Sequence, residues 1–183
     1  MKYAARQKVS KSKIPARDLL DLGDAELLTQ CEIDVYRASG PGGQKRSKTS
    51  SAIRLRHKPT GLMVIAEESR SQHENRQRAL RRLRKTIALN QRNQIKVESP
   101  HPEFYAAALA RDSSLRVNYR HRDYCHIVQY VLDVMFACRA GVADTAAALD
   151  ITTGHLIRFL KNDRKLWDHA NRLRGDFDHQ PLR

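Results

Sequence analysis

Three things are scarce in this chain: cysteine, long apolar runs and, at its start, acid. The cysteines number three. Cys31, Cys125 and Cys138 lie far apart and are odd in number, which fits reduced thiols better than a disulfide framework and gives no zinc-ligand spacing. The longest apolar stretch, around Ile127 to Cys138, is broken by Gln129 and Asp133. It falls short of the ~20 apolar residues that a membrane-spanning helix needs. No segment combines a charged start, an apolar run and a small-residue cleavage site. The expectation is a soluble cytoplasmic protein with no membrane partner, an organellar matrix being the lesser alternative. Residues 1–17 hold Lys2, Arg6, Lys8, Lys11, Lys13 and Arg17 and no carboxylate. They are predicted to form a disordered basic arm.

What is abundant is positive charge. The 183 residues are 40% hydrophobic and 30% charged, with a formal net charge of +14. That allows a core and calls for a polyanionic partner, nucleic acid before anionic membrane. The charge is uneven: residues 1–99 carry 22 Lys and Arg against 10 Asp and Glu, and residues 100–183 carry 12 against 10. Ser99-Pro100-His101-Pro102 reads as the boundary between the halves. The expected organisation is the arm at 1–17, an α+β domain at 18–96 and a helical domain at 97–183.

Local pattern fills in that outline. Residues 18–30 carry five leucines and predict a short helix or two. Glu32 to Arg37 and Ala52 to His57 alternate apolar with polar and predict strands. Lys58-Pro59-Thr60-Gly61 has turn chemistry, and Leu62 to Ala66 is the returning strand. Gln72 to Asn90 predicts a long helix whose Leu80, Leu83 and Ile87 face the sheet. Helices are predicted at Glu103 to Arg111, Tyr124 to Cys138 and Asp163 to Arg174. Between the last two, Ala146 to Leu160 weakly resembles a helix-turn-helix. In it Asp150 takes the left-handed turn position, Thr152 or Thr153 caps the second helix, and Ile157 and Leu160 pack inward. His155, Arg158 and Lys161 are its candidate nucleic-acid contacts, against the plainer reading of a three-helix packing unit. The histidines share no metal-ligand spacing, and neither a metal nor a cofactor is expected.

Between the first two strands lies Ala38-Ser-Gly-Pro-Gly-Gly-Gln-Lys-Arg-Ser-Lys-Thr49. It is not a Walker loop, because no Gly-Lys-Ser/Thr follows at the required distance. Its setting is ordered: Arg37 to Gly40, Gly42-Gly43-Gln44, Lys48-Thr49, Ala52-Ile53-Arg54, the His57 to Gly61 turn, then Arg70-Ser71-Gln72-His73. That succession, over about residues 32–90, closely resembles the catalytic domain of class I peptide-chain release factors and their shortened ribosome-rescue relatives. The resemblance implies a small sheet with one long packed helix, followed here by a separate all-α domain. It also implies hydrolysis of the peptidyl-tRNA ester within the ribosome, with Gly42, Gly43 and Gln44 as catalytic residues.

A main-chain N–H at Gln44 would stabilise the oxyanion, and the two glycines would let backbone approach RNA without a β-carbon in the way. Ribosomal RNA or tRNA is expected to meet Lys45, Arg46, Lys48, Arg54, Arg56 and Arg70, and from the long helix Arg76, Arg78, Arg81, Arg82 and Lys85. One departure stands out: release factors usually follow the glutamine with His-Val-Asn-Lys, where this chain has Lys45-Arg46-Ser47-Lys48.

The sequence contains no Pro-x-Thr or Ser-Pro-Phe codon-reading motif, so the expectation is a codon-independent rescue factor, monomeric by default. Alternative rescue factor B and its mitochondrial kin end in a Lys/Arg-rich tail. Residues 164–183 carry five cations and three carboxylates, so contact with the mRNA channel or small subunit falls to the basic arm or the helical domain. Two other readings are kept: a DNA- or RNA-binding regulator using the helix-turn-helix-like segment, and a peptidyl-tRNA hydrolase working off the ribosome.

Overall fold

A computed structural model of the chain describes residues 16–37 and 50–183. It divides into two compact units that meet in sequence between Asn90 and Gln91. The expected arm lies almost wholly outside the described residues.

The first unit is α+β. Two short helices, α1 (Ala16–Asp21) and α2 (Asp24–Thr29), precede an antiparallel sheet of β1 (Cys31–Tyr36), β2 (Ala52–His57) and β3 (Met63–Ala66), in the order β1-β2-β3. The long helix α3 (Gln72–Asn90) packs on β2 and β3. Period-two alternation sends Ile53 and Leu55 of β2 and Ala66 of β3 to the covered face, where Ala79, Leu80, Leu83 and Ile87 of α3 meet them. Burying each of the larger side chains contributes about 1.5–3 kcal/mol. Leu19, Leu20 and Leu27 extend this core, and α1 rests on α3.

Strand β1 is only half covered. Ile33 and Val35 pair in register with Leu55 and Ile53, which are fully buried. They themselves are 37% and 39% exposed, because the helix lies over the other two strands. On the opposite face Glu32 pairs with Arg56 and Asp34 with Arg54, and β3 adds the exposed Met63 and Ile65 beside those arginines. The β2–β3 reversal uses the predicted turn, with Gly61 at φ +70°, a conformation glycine adopts without strain.

The second unit is helical throughout: α4 (Glu103–Arg111), α5 (Tyr124–Ala137), α6 (Val142–Ala148), α7 (Thr153–Lys161) and α8 (Arg164–Asp176). Helix α5 is its centre, with Ile127, Val128, Val131, Leu132, Val134 and Met135 buried. Tyr105 of α4 is fully buried and its hydroxyl donates to the Leu149 carbonyl at 2.8 Å, tying α4 to the end of α6. Helix α8 runs through Gly175, past the expected end at Arg174, and Asp163 caps it by accepting from the Lys165 and Leu166 amides at 2.9 and 3.2 Å.

Asp133, which interrupts the apolar run in the sequence, has a structural partner set. It is 2% exposed, and one carboxylate oxygen accepts from Arg92 Nη1 at 2.9 Å and the Asn93 amide at 3.1 Å. The other accepts from Asn93 Nδ2 at 3.1 Å. This ties residues 92 and 93 to α5, and the unit accordingly begins ahead of the Ser99–Pro102 stretch. Burial raises the Asp133 carboxyl to about 6 despite the guanidinium beside it.

Removing one partner of a buried pair strands the other without compensation. Arg92→Met is therefore expected to destabilise the protein by about 3–5 kcal/mol, read as a fall in the urea midpoint.

Candidate functional site

Register fixes where the glycine-glutamine segment leaves the sheet. Tyr36, the last residue of β1, pairs with Ala52, the first of β2, so the intervening chain departs from and returns to neighbouring strand ends. Each end has its own fastening. On the outgoing side, the Tyr36 hydroxyl donates to Glu67 Oε2 at 3.1 Å. On the return side stands Asn75, a polar residue on the core stripe of α3 and fully buried. Its Nδ2 donates to the Ser51 carbonyl at 2.7 Å and to the Ser69 carbonyl at 2.8 Å. Its Oδ1 accepts from the Ser69 amide at 2.9 Å. The Ser51 hydroxyl adds a bond to the Ser69 carbonyl at 3.2 Å. The chain entering β2 and the chain entering α3 are thus locked to each other through one carboxamide. Gly42, Gly43, Gln44, Lys45, Arg46 and Lys48 lie outside the described residues.

The predicted cationic residues separate into two groups. Arg54 meets Asp34 at 2.6 Å and lies over the Tyr36 ring, 5.3 Å from its centroid. Arg56 meets Glu32 at 3.6 Å, Arg78 meets Glu74 at 3.8 Å, and Arg82 reaches Glu68 at 2.5 Å and the Ile65 carbonyl. These pairs are substantially exposed, and such pairs contribute about 0–1 kcal/mol each, little enough for a phosphate to displace the carboxylate. Arg70, Arg76 and Arg81 are exposed and make no ion pair among the described residues. Lys85 is half-buried. Arg84, on the same helix, is a structural clamp: it donates to the Leu20 and Leu22 carbonyls at 2.8 and 2.6 Å and to Asp24 at 2.8 Å.

The turn beneath this site is held by His57. Its ring is fully buried, with Nδ1 2.8 Å from Thr60 Oγ1 and Nε2 3.0 Å from Gln30 Oε1. The Gln30 oxygen only accepts, so Nε2 carries the proton and Nδ1 takes the threonine hydroxyl. Burial lowers the pKa of this neutral ring below the usual histidine value.

In the helical unit the α6–α7 pair carries the predicted turn. Asp150 has φ 53°, and the Thr152 hydroxyl caps α7 by accepting from the His155 amide at 3.1 Å. The inward residues are Leu156, Phe159 and Leu160, whereas Ile157, expected inside, is half-buried. His155 is half-buried, Arg158 and Lys161 are exposed, and Lys161 Nζ lies 5.2 Å from the Trp167 ring centroid. No group of three His, Cys, Asp or Glu side chains able to hold a metal ion occurs among the described residues. No described helix is long and apolar enough to cross a membrane.

Comparison with known proteins adds a family. The RF-1 domain matches residues 27–124, more than half of the chain and across the junction of the two units. The chain is 40% identical to peptide chain release factor 1 of Kocuria rhizophila over 99 residues, covering 54% of this chain and 24% of that protein. It is 55% identical to peptide chain release factor 1 of Rubrobacter xylanophilus over 56 residues, 31% of this chain and 15% of that one. With peptide chain release factor 2 of Paramagnetospirillum magneticum it shares 36% identity over 123 residues, 67% of this chain and 31% of that one. The chain therefore spans under a third of the length of these relatives.

Two outcomes test the geometry. Asn75→Ala leaves two carbonyls and an amide without their partner, and about 1–3 kcal/mol of stability is expected to be lost, measured by thermal denaturation. For His57 the folded pKa lies below the unfolded one, so its contribution is complete above pH ~6.5. It is lost as the pH falls from there toward the folded pKa, because the unfolded chain binds the proton first. His57→Gln is expected to flatten that part of the stability–pH curve relative to wild type.

Proposed function

The chain belongs to the class I peptide-chain release factor family, and from that premise we propose that it promotes hydrolysis of the peptidyl-tRNA ester inside the ribosome. The observation that carries the reading is the doubly fastened segment between Tyr36 and Ala52, bonded to Glu67 on one side and to Asn75 on the other. A catalytic tip that acts through a main-chain group needs such a base, because the donor's position is set by the backbone and by nothing else.

The chemistry follows from the residue types. Water attacks the ester carbonyl, negative charge builds on the carbonyl oxygen, and the C–O bond to the tRNA ribose then breaks as a proton of the water passes to the leaving ribose oxygen. An N–H at Gln44 supplies the stabilising donor. Gly42 and Gly43 admit the backbone where a β-carbon would collide, and the neutral Gln44 side chain favours water over bulkier nucleophiles. Large-subunit RNA and the tRNA complete the site. The cations Lys45, Arg46 and Lys48, with Arg54, Arg56, Arg70, Arg76, Arg78, Arg81, Arg82 and Lys85, bind RNA phosphates, each contact releasing a counterion.

The finer reading is codon-independent rescue of stalled ribosomes in the cytoplasm. Its support is that no Pro-x-Thr or Ser-Pro-Phe triplet occurs in these 183 residues, and that residues 91–183 fold as a helical unit with a core of its own.

A reconstituted release assay tests both levels. Ribosomes stopped on a truncated mRNA are expected to release peptide on addition of the protein, at a rate independent of any stop codon. Gln44→Pro deletes the proposed N–H and is expected to lower that rate by about 10²–10³, with ribosome binding retained. Release confined to stop-codon templates would overturn the codon-independent part. A Gln44→Pro variant as active as wild type would overturn the main-chain donor.

A further inference from the structure

The connection between α4 and α5 in the helical unit has the build of a binding site that the release reading does not use. It runs Arg116-Val117-Asn118-Tyr119-Arg120-His121-Arg122, with no carboxylate from Ser113 to Arg122. Leu115 and Val117 are 1% and 8% exposed and pin it to the core, while Arg116, Asn118, Tyr119 and Arg120 face solvent. A turn holds the crest: the Arg120 amide donates to Asn118 Oδ1 at 2.8 Å and the His121 amide to the Asn118 carbonyl at 2.9 Å.

On that crest Tyr119 is 65% exposed, the most exposed large hydrophobic side chain among the described residues. The Arg120 guanidinium lies 5.4 Å from its ring centroid and donates to its hydroxyl at 3.0 Å. The ring stands on an ordered turn with Arg120 over one face, and its 65% exposure leaves the remainder open to water. Arg122 is 90% exposed, and its near carboxylate is Asp123 at 3.3 Å. Arg111 Nη1 reaches His121 Nε2 at 3.0 Å, bringing a further cation to the loop from α4. The carboxyl of Asp112, held low chiefly by hydrogen bonds from Ser114, also feels both Arg116 and His155.

We propose that the 116–122 loop binds single-stranded RNA, an unpaired base stacking on Tyr119 while Arg116, Arg120 and Arg122 take the adjacent phosphates. The chemistry favours this ligand over the alternatives. A protein partner would have to desolvate three arginines in an acid-free stretch, whereas a polynucleotide supplies an anion per residue and a π-face to match the ring. A duplex keeps its bases stacked on one another, and recognition by aromatic stacking requires splayed, unpaired bases. The inference is independent of peptide release, since it concerns the helical unit and a ligand that needs no ribosome to be presented.

The test uses the full chain carrying Tyr119→Trp, a substitution the open position tolerates, with wild type titrated in parallel to subtract the emission of Trp167. The probe is a single-stranded RNA of mixed sequence, about twelve nucleotides long. Heparin and the matching RNA duplex serve as polyanions without accessible bases. Saturating single strand is expected to quench the emission of residue 119 strongly, and the other two polyanions to leave it. Tyr119→Ala is expected to weaken single-strand binding about tenfold, with the slope of log affinity against log salt unchanged, because no phosphate contact is removed. Absence of quenching when anisotropy shows the single strand bound, or equal quenching by heparin or duplex, overturns the assignment.

Discussion

The first unit depends on one buried carboxamide. Asn75 uses both donors and its acceptor at the same time, and all three bonds go to backbone: Ser51 on the chain entering β2 and Ser69 on the chain entering α3. No apolar side chain of that size satisfies those groups, and leaving them unpaired in a position with no solvent access is costly. Helix, sheet and loop base are therefore not three independently placed objects. The stripe of Leu80, Leu83 and Ile87 sets how deeply α3 sits on the sheet. Asn75, one to three turns earlier on the same stripe, fixes where the returning chain lies against it. What the described residues fix of the segment between Tyr36 and Ala52 is the geometry of its two attachments.

The charge pattern around that base follows a similar logic. Each carboxylate on the polar face of the sheet stands opposite an arginine in register, Glu32 with Arg56 and Asp34 with Arg54. Such pairs hold guanidinium groups apart and in order at small energetic cost, because water screens them. With Arg70, Arg76 and Arg81 exposed besides, the unit presents cations already spread over a surface. In the proposed reading the carboxylates act as placeholders that a polyphosphate backbone would displace, with the release of its own counterions as the driving force.

Much of this was legible in the sequence, and the parts that were not share a cause. Strand and helix limits came from periodicity: Ala52–His57, Gln72–Asn90 and Glu103–Arg111 are found as expected. Periodicity reports which side of an element a residue faces but not what lies over that side, so it could not show Ile33 and Val35 half-open beneath an uncovered strand edge. It also resolves phase poorly in short helices, which is how Ile157 was expected inward where Leu156 is. Asp133 was visible as a polar break in an apolar run and Asn75 was not singled out, and their partners Asn93 and Ser51 sit 40 and 24 residues away in sequence. Only the fold brings these together. The Gly42-Gly43-Gln44 segment was the reverse case: the motif names it, and the structure describes its attachments.

Net charge was the weakest of the sequence arguments when applied to the second half. A small excess over residues 100–183 suggested a unit with little to offer a polyanion, but a sum says nothing of arrangement. Two of its acids are occupied within the fold: Asp133 in the core pair and Asp163 at the start of α8. An acid engaged in this way still counts in the total while contributing little field at a distant surface, since screening confines it to about 8–10 Å. The arginines of the α4–α5 connection, by contrast, stand on the outside. What a ligand meets is the local sign and the exposed ring of Tyr119, and both are set by where Leu115 and Val117 anchor the chain.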